Sequence, residues 1–137
     1  MVEPLKIYID GASRGNPGPA SCAYLIQKDG KIIKKEARFL GKKTNNEAEY
    51  HGIIMALTRA KKYTNDIVYL HSDSQLAIRQ LKGEYKVRAA NLRMLFNRVK
   101  NLLENFENYK LFHLNRDDEF IKICDKMCND TLDSQGF

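Results

Sequence analysis

Hydrophobic and polar residues alternate with a period of two in the first part of the chain, as in a pleated β-strand. Residues 5–10 have this pattern, and residues 20–27 and about 31–39 are predicted as the second and third strands. The first strand is predicted to end at Asp10, because the glycine- and proline-rich loop Gly11–Pro19 follows it. Asp29-Gly30 is a hairpin turn signal between the second and third strands. Lysines in the third segment indicate a solvent-facing or edge position. The three consecutive strands predict an antiparallel meander.

The rest of the chain alternates between helical and strand patterns. A helix is predicted from the cap Thr44-Asn45-Asn46 to about residue 62, and further helices over residues 72–81, 91–105 and 120–132. Two short apolar strands, residues 67–71 and 109–114, lie between these helices. The order of elements predicts an α/β fold, a five-stranded mixed sheet flanked by helices, with residues 1–137 as a single domain.

Composition limits the class of protein. Of the 137 residues, 43% are hydrophobic, which is typical of a globular protein with a buried core. No apolar run is long enough to cross a bilayer, and the start, Met-Val-Glu-Pro, resembles neither a signal peptide nor a transit peptide. We therefore expect a cytoplasmic monomer that has no membrane partner. Cys22, Cys124 and Cys128 are expected to be reduced core residues, because a zinc site would need more ligands at matched spacing.

The charge of the chain favours a polyanionic partner. The 23 Lys and Arg residues exceed the 17 Asp and Glu residues, for a net charge of +6. This charge suits nucleic acid, and a basic surface that is only solvated is the alternative. The loop after the first strand supports phosphate binding, because Ser13, Arg14 and Asn16 offer exposed backbone N–H groups there.

Two carboxylates occupy helix positions that a packed face reserves for apolar groups. Glu49 lies four residues before Ile53 and is expected on the buried stripe of the first long helix. Asp125 lies four residues after Ile121 and is expected to point inward from the last helix. A buried carboxylate is costly unless a Lys or Arg partner, or a metal ion, compensates it.

Two further carboxylates follow strands that a mixed sheet would place side by side. Asp10 ends the first predicted strand and Asp73 follows the fourth. Asp10 could instead cap a turn, and Ser72 or Asp73 could cap the next helix. Convergence of all four carboxylates would require hard cations, and two Mg²⁺ ions would form the arrangement used for phosphodiester displacement. The pattern favours a metal-dependent nuclease.

Several motifs, in order along the chain, resemble those of the type 1 ribonucleases H. The family's first-strand motif is similar to Asp10-Gly-Ala-Ser-Arg-Gly-Asn-Pro-Gly-Pro, and its first-helix motif is similar to Thr44-Asn-Asn-Glu-Ala-Glu-Tyr. A third motif is similar to Ser72-Asp-Ser-Gln-Leu and the closing motif to Cys124-Asp-Lys-Met-Cys-Asn. Gly83-Glu-Tyr-Lys-Val followed by Asn91-Leu resembles the link of compact members without a basic handle. The resemblance implies a ribonuclease H-like fold, with three antiparallel strands and then two parallel ones.

The resemblance also implies an activity and a set of site residues. The activity is endonucleolytic hydrolysis of the RNA strand of RNA–DNA hybrids, which leaves 5′-phosphate and 3′-hydroxyl ends. The implied catalytic residues bind two Mg²⁺ ions, or Mn²⁺ as a substitute: Asp10, Glu49, Asp73 and Asp125. Substrate contacts are implied for Gly11, Ser13, Asn16, Thr44, Asn45, Ser74 and Gln75. Helix capping is the alternative role of Thr44 and Asn45.

The loop before the last helix departs from the family pattern. Asp118 and Ile121 stand where the family usually has an Arg and an Asn, unless the loop is longer and Arg116 takes the place of that Arg. Some members place a residue here that assists product release, which makes His113 and Arg116 candidates for that role. A structural histidine at a strand end is the alternative for His113.

Other classes of protein fit the sequence less well. A nucleic-acid-binding domain of the same fold without catalysis predicts that one of the four carboxylates is lost, and all four are present. A transposase or integrase relative is disfavoured by amide side chains that suit a 2′-hydroxyl group. Gly41-Lys-Lys-Thr lacks the glycine spacing of a nucleotide-binding phosphate loop.

Overall fold

A five-stranded mixed sheet and four helices are formed by residues 3–137, the part of the chain that this computed structural model describes. Met1 and Val2, which belong to the segment where no targeting peptide is expected, lie outside the described residues. The strands are β1 Leu5–Ser13, β2 Gly18–Lys28, β3 Lys31–Lys43, β4 Ile67–Ser72 and β5 Asn108–His113. The helices are α1 Asn45–Ala60, α2 Gln75–Leu81, α3 Ala90–Leu103 and α4 Glu119–Ser134.

The strand order is β3-β2-β1-β4-β5, which confirms the predicted fold class. β1, β2 and β3 pair antiparallel, whereas β4 pairs parallel with both β1 and β5. β3 lies at the edge, as its lysines predict. The hairpin turn between β2 and β3 is also confirmed: Asp29 has φ 52° and Gly30 has φ 77°, the left-handed pair that a type I′ turn requires.

Asp10 lies inside β1 and not at its end. Gly11, Ala12 and Ser13 continue the strand and pair with Cys22, Ser21 and Ala20 of β2. The predicted strand end at Asp10 is therefore wrong, because the antiparallel ladder to β2 keeps these small residues extended. As a result Asp10 is held by regular strand pairing on the β2 side.

The helices cover both faces of the sheet. One core cluster joins one face of the sheet to α1, α2 and α3, with Ile53, Leu57 and Val99 fully buried. A second, smaller cluster joins the other face to α4 through Ile121, Cys124 and Cys128. All three cysteines are free and buried, as expected. Among the described residues there is no helix with the length and apolar character needed to span a bilayer.

Helix caps determine where the helices start relative to the strand ends. Thr44 and Glu47 form a capping box on α1, with hydrogen bonds of 3.1 and 2.9 Å. The cap of α2 is Ser74, whose hydroxyl accepts from the Ala77 N–H at 3.1 Å. The predicted start of this helix at Ser72 or Asp73 is wrong, because β4 continues to Ser72 in its ladder with β5. Asp73 is therefore left between strand and helix, without the capping role.

Candidate active site

Three carboxylates meet where β1 and β4 face the first half of α1. Asp10, Glu49 and Asp73 each offer an oxygen, and these oxygens all lie within 4.8 Å of one another. Asp10 comes from β1, Glu49 from the second turn of α1, and Asp73 directly follows β4. Asp10 and Glu49 are buried and Asp73 is half-buried. The expected proximity of the two strand-derived carboxylates and of Glu49 is thus observed, and we call these three residues the carboxylate triad.

Gly11 allows α1 to approach β1 closely enough to form the triad. A Cβ atom at this position would lie 2.4 Å from the backbone carbonyl carbon of Ala48 and from the amide nitrogen of Glu49, so any side chain would push the helix away. The Gly11 N–H donates to Asp10 Oδ1 at 2.9 Å and to Glu49 Oε1 at 3.2 Å. Gly11 therefore sets the distance between the two elements and orients two of the three carboxylates.

The triad is a cluster of like charges without a cationic side chain. Within residues 3–137, no Lys or Arg nitrogen lies within 4.0 Å of a triad oxygen. Burial, followed by the charge of Asp73, raises the pKa of Asp10 to about 7. Burial and the neighbouring charges of Asp10 and Asp73 raise the pKa of Glu49 well above its ordinary value. The ion-pair alternative for Glu49 is therefore wrong, and the charge of the triad is left to be compensated by protonation or by a cation from solution.

Asp125 lies at the rim of the same cleft. It lines a cavity of about 370 Å³ together with the triad, and its charge contributes to the raised pKa values of Asp10 and Asp73. Its side chain is exposed, however, and the expected inward position is wrong. The buried stripe of α4 is Ile121, Cys124, Cys128 and Leu132. Asp125 follows Cys124 directly and is rotated from that stripe by about 100°.

The residues expected to contact substrate lie around the cleft, and several have a structural role as well. Ser13, Asn45 and Ser74 line the cavity with the triad. Asn16 Oδ1 accepts from the Asn45 N–H at 3.0 Å, which joins the loop after β1 to the start of α1. Thr44 and Ser74 also cap helices, which confirms the alternative role of Thr44. Asn45 is the first residue of α1 and not its cap, so the capping alternative is wrong for Asn45. Gln75 is exposed and lines an adjoining pocket instead.

The two candidates for product release both lie beside the cleft. Arg116 is exposed and lines the cavity. His113 is exposed at the end of β5, with Nε2 3.2 Å from the backbone carbonyl oxygen of Asp73. The buried histidine is His71, whose Nδ1 lies 2.9 Å from the Ile7 carbonyl oxygen and whose ring stacks on Tyr8. His113 thus has the exposure that a role in turnover requires.

Two side-chain contacts that the sequence did not predict support the site. The Ser72 hydroxyl lies 3.4 Å from Glu49 Oε2, where it can donate to that carboxylate. The Arg14 guanidinium pairs with Asp133 at 2.8 Å and lies 3.3 Å from Asn129 Oδ1, which ties the loop after β1 to α4. The sequence carried no signal for either contact, because both partners come from distant parts of the chain.

Comparison with known proteins identifies relatives that match nearly the whole chain. A family model described as "Reverse transcriptase-like" matches residues 8–131. The chain is 38% identical over 127 residues to Ribonuclease HI of Halobacterium salinarum, an alignment that covers 92% of this chain and 63% of that protein. It is 31% identical over 136 residues to a bifunctional protein of Mycobacterium tuberculosis, covering 95% of this chain and 36% of that protein. The chain thus spans less than two thirds of the length of these curated relatives.

Solved structures show the same architecture. The crystal structure of RNase H1 from Halobacterium salinarum matches with a TM-score of 0.90 at 35% identity, covering 96% of this chain and 99% of that chain. The crystal structure of LC11-RNase H1 in complex with an RNA/DNA hybrid matches with a TM-score of 0.90 at 29% identity, covering 97% and 99%. The five-stranded sheet and its flanking helices are common to all three proteins.

Proposed function

This chain belongs to the ribonuclease H family, and from that premise we propose that it is an endoribonuclease that hydrolyses the RNA strand of RNA–DNA hybrids. One observation carries the proposal: the carboxylate oxygens of Asp10, Glu49 and Asp73 lie within 4.8 Å of one another. In the described part of the chain no basic side chain pairs with them. Such a cluster is unfavourable unless cations bind, and cations held by carboxylates are the common means of phosphodiester hydrolysis.

The donor set fits hard divalent cations. Carboxylate oxygens are the protein ligands that Mg²⁺ prefers, and the triad offers them in a cleft open to solvent. We assign Asp10, Glu49 and Asp73, with Asp125 at the rim, as the residues that would hold two Mg²⁺ ions, or Mn²⁺ as a substitute. When bound, these ions supply positive charge to the phosphoryl oxygens and lower the pKa of a bound water. Because burial and mutual repulsion raise the pKa of Asp10 to about 7, metal binding near neutral pH should release protons.

The proposed reaction is a displacement at phosphorus. A water oxygen bonds to the phosphorus atom, and the bond from phosphorus to the 3′-oxygen breaks. The phosphate therefore stays on the 5′ end of one fragment, while the 3′-oxygen of the other takes a proton and becomes a hydroxyl group. Of the two protons of the water, one ends on the 3′-oxygen as its hydroxyl proton, and the other leaves the new 5′-phosphate to solvent.

Side chains around the cleft would orient the hybrid for this reaction. Asn16 and Asn45 lie together at the cleft, and amides can both donate to and accept from a 2′-hydroxyl group, which marks RNA. Ser13, Ser74, Gln75 and the backbone of Gly11 and Thr44 complete the proposed contact surface. His113 and Arg116, both exposed beside Asp73, are proposed to assist release of the cleaved strand.

We further propose that residues 1–137 act as one catalytic domain and as a monomer in the cytoplasm. All four carboxylates come from a single chain, and so the site does not depend on a second copy. The three free, buried cysteines suit a reducing compartment.

A cleavage assay on end-labelled duplexes of one sequence tests the proposed activity. We expect the RNA strand of the hybrid to be cut with Mg²⁺ or Mn²⁺ present, and no cutting with EDTA. The upstream fragment should be extended by a polymerase that needs a 3′-hydroxyl end, and phosphatase treatment should change the mobility of the downstream fragment. Double-stranded DNA of the same sequence is the control. Cleavage in EDTA, or cleavage of double-stranded DNA at the same rate, would contradict the proposal.

A further inference from the structure

A second cleft, on the other flank of α1, carries charge of the opposite sign. It lies between β3, α1 and α3 and has a volume of about 580 Å³, larger than the carboxylate cleft. Five basic side chains line it: Arg38, Lys43, Arg59, Lys62 and Arg98. We call this cleft the basic groove. Neither the carboxylate triad nor the residues proposed to contact the hybrid lie in it.

The positive charge of the basic groove is largely uncompensated. Its acidic residue is Glu36, which accepts a hydrogen bond from the Tyr24 hydroxyl at 2.8 Å and lies 3.6 Å from Arg38. Between residues 3 and 137, no carboxylate lies within 4.0 Å of the other four basic groups. Burial, together with the charges of Lys43 and Arg98, lowers the pKa of His51 in the same groove. The groove therefore presents cations that lack protein counter-ions.

The apolar lining of the groove strengthens this positive potential. Leu40, Ile54 and Met55 line the groove, and the last two are only 6% and 8% exposed. A cleft with charges of one sign above apolar walls concentrates the field, because the low-dielectric walls screen the charges poorly. A ligand with several negative charges in a row matches this arrangement better than a neutral or singly charged molecule.

One end of the groove adjoins the residues proposed to contact the hybrid. The backbone carbonyl of Lys43 accepts from the Ser13 hydroxyl at 2.8 Å, and Lys43 directly precedes the α1 cap. Lys62 lies at the other end, just after α1. The distance from Thr44 to Lys62 along a helix is about 27 Å at a rise of about 1.5 Å per residue. A duplex advances about 3.4 Å per phosphate of one strand, so this length matches about eight base pairs.

We propose that the basic groove binds the phosphate backbone of the duplex beyond the segment that occupies the carboxylate cleft. This inference rests on the proposed function, because it takes the nucleic-acid substrate as the ligand. Lys and Arg side chains in such a groove contact phosphates and not base edges. The groove therefore contributes affinity that depends on salt and on duplex length but not on base sequence.

Binding measured in EDTA tests the inference independently of catalysis. The variant Arg59→Gln/Lys62→Gln/Arg98→Gln removes three groove charges that have no carboxylate within 4.0 Å among the described residues. The probes are an RNA–DNA hybrid of about eight base pairs and one about three times longer, and binding is followed by fluorescence anisotropy over a salt series. The matched control is Lys28→Gln/Lys31→Gln/Lys110→Gln, which removes the same charge at exposed positions outside the groove.

For the long hybrid we expect the groove variant to bind about tenfold more weakly at low salt, with a salt slope smaller by about 3. The groove variant should lose less affinity for the short hybrid than for the long one. Its loss of affinity for double-stranded DNA of the long length should equal its loss for the long hybrid. The control variant should lose little affinity for any of these probes. Circular dichroism checks that both variants fold. If the triple groove variant does not fold, Lys62→Gln alone replaces it, and its salt slope should be smaller than that of wild type by about 1.

Three results would overturn the inference. The first is a groove variant that binds the long hybrid as the control variant does. The second is an equal loss for short and long hybrids, and the third is displacement of the long hybrid by a nucleoside diphosphate, which would identify a small-ligand site. Because no step requires cleavage, an inactive protein would refute the proposed function and leave this measurement intact.

Discussion

The two flanks of α1 carry clusters of opposite charge that differ in burial. On one flank Glu49 is 3% exposed and meets Asp10, which is 4% exposed, and Asp73. On the other flank Arg59 and Lys62 reach an open groove. The carboxylates have been removed from water, and so their repulsion appears as raised pKa values. Long basic side chains keep their charged ends in water while their stems cover apolar surface.

This difference separates two ways of attracting a charged ligand. A buried cluster of like charges holds a high electrostatic cost that a bound cation can relieve, and so it suits tight binding at one point. An exposed cluster has little cost of its own, because solvent and salt screen it, and it suits a ligand that extends over several contacts. The following predictions test the comparison, from the largest expected effect to the smallest.

Removal of either strand-derived charge of the triad should have the largest effect on activity. We expect Asp10→Asn and Asp73→Asn each to lower the rate of hybrid cleavage by on the order of a thousandfold, because each removes charge from the site where cations would be held. Asp117→Asn changes an exposed carboxylate in the loop before α4 and serves as the control. The rates are compared at equal folded fraction, and substantial cleavage by either triad variant would refute the assignment.

Asp125 tests whether a carboxylate at the rim is equivalent to one in the buried triad. We expect Asp125→Asn to lower the cleavage rate by about tenfold to a hundredfold in Mg²⁺ or Mn²⁺.

Two matched variants accompany this test. Asp118 caps α4 by accepting from Phe120 and Ile121, and Asn caps equally well, so Asp118→Asn should keep most activity. Asp130 pairs with Lys126 at 2.7 Å, and Asp130→Asn should also keep most activity. An inactive Asp118→Asn beside an active Asp125→Asn would reverse the assignment of the fourth carboxylate.

The stability of the metal-free protein should depend on pH through Asp10. Its folded-state pKa of about 7 exceeds its ordinary value of 3.8, so between these pH values the folded chain keeps a proton that the unfolded chain has lost. This contribution is fully favourable below about pH 4 and is lost as the pH rises to about 7. In EDTA, Asp10→Asn should therefore gain stability relative to wild type over this range and exceed it by a few kcal/mol at pH 7.

Chemical denaturation at a series of pH values measures this difference, and the curve for Asp117→Asn should follow that of wild type. A variant Asp10→Asn that is less stable than wild type at pH 7 would mean that the ionised carboxylate makes a stabilising contact.

The smallest effect compares the two flanks of α1 directly. Without metal at pH 7, Glu49→Gln should raise the free energy of unfolding by about 1 kcal/mol, because it removes repulsion within a buried cluster. Lys62→Gln should leave the free energy of unfolding within measurement error, because its charge is exposed. Equal changes in the two variants would mean that burial does not distinguish the clusters.

Local spacing along the chain was enough to predict most elements and much of the triad. The period-two pattern of the first strand, the turn at Asp29-Gly30 and the cap at Thr44 depend on neighbouring residues only, and each is observed. Glu49 was placed on the buried stripe of α1 by counting back from Ile53, and both residues are buried. These features follow from backbone geometry that repeats every two or every 3.6 residues.

Tertiary pairing decided what spacing could not. The ladder to β2 extends β1 past Asp10, and the ladder to β5 extends β4 to Ser72, which moves the α2 cap to Ser74. The rotation of α4 follows from the packing of Cys124 and Cys128 against the backbone of β1, and it leaves Asp125 at the rim. Each outcome depends on partners that are distant in sequence, and so local periodicity carries no record of it.

The basic groove is the clearest case of this dependence. Arg38, Arg59 and Arg98 belong to β3, α1 and α3, and in the sequence each is one of many scattered basic residues. The net charge of +6 is a property of the sequence, whereas the meeting of these side chains at one groove is a property of the fold. Electrostatic potential depends on distances in space, and those distances are set only when β3, α1 and α3 pack together.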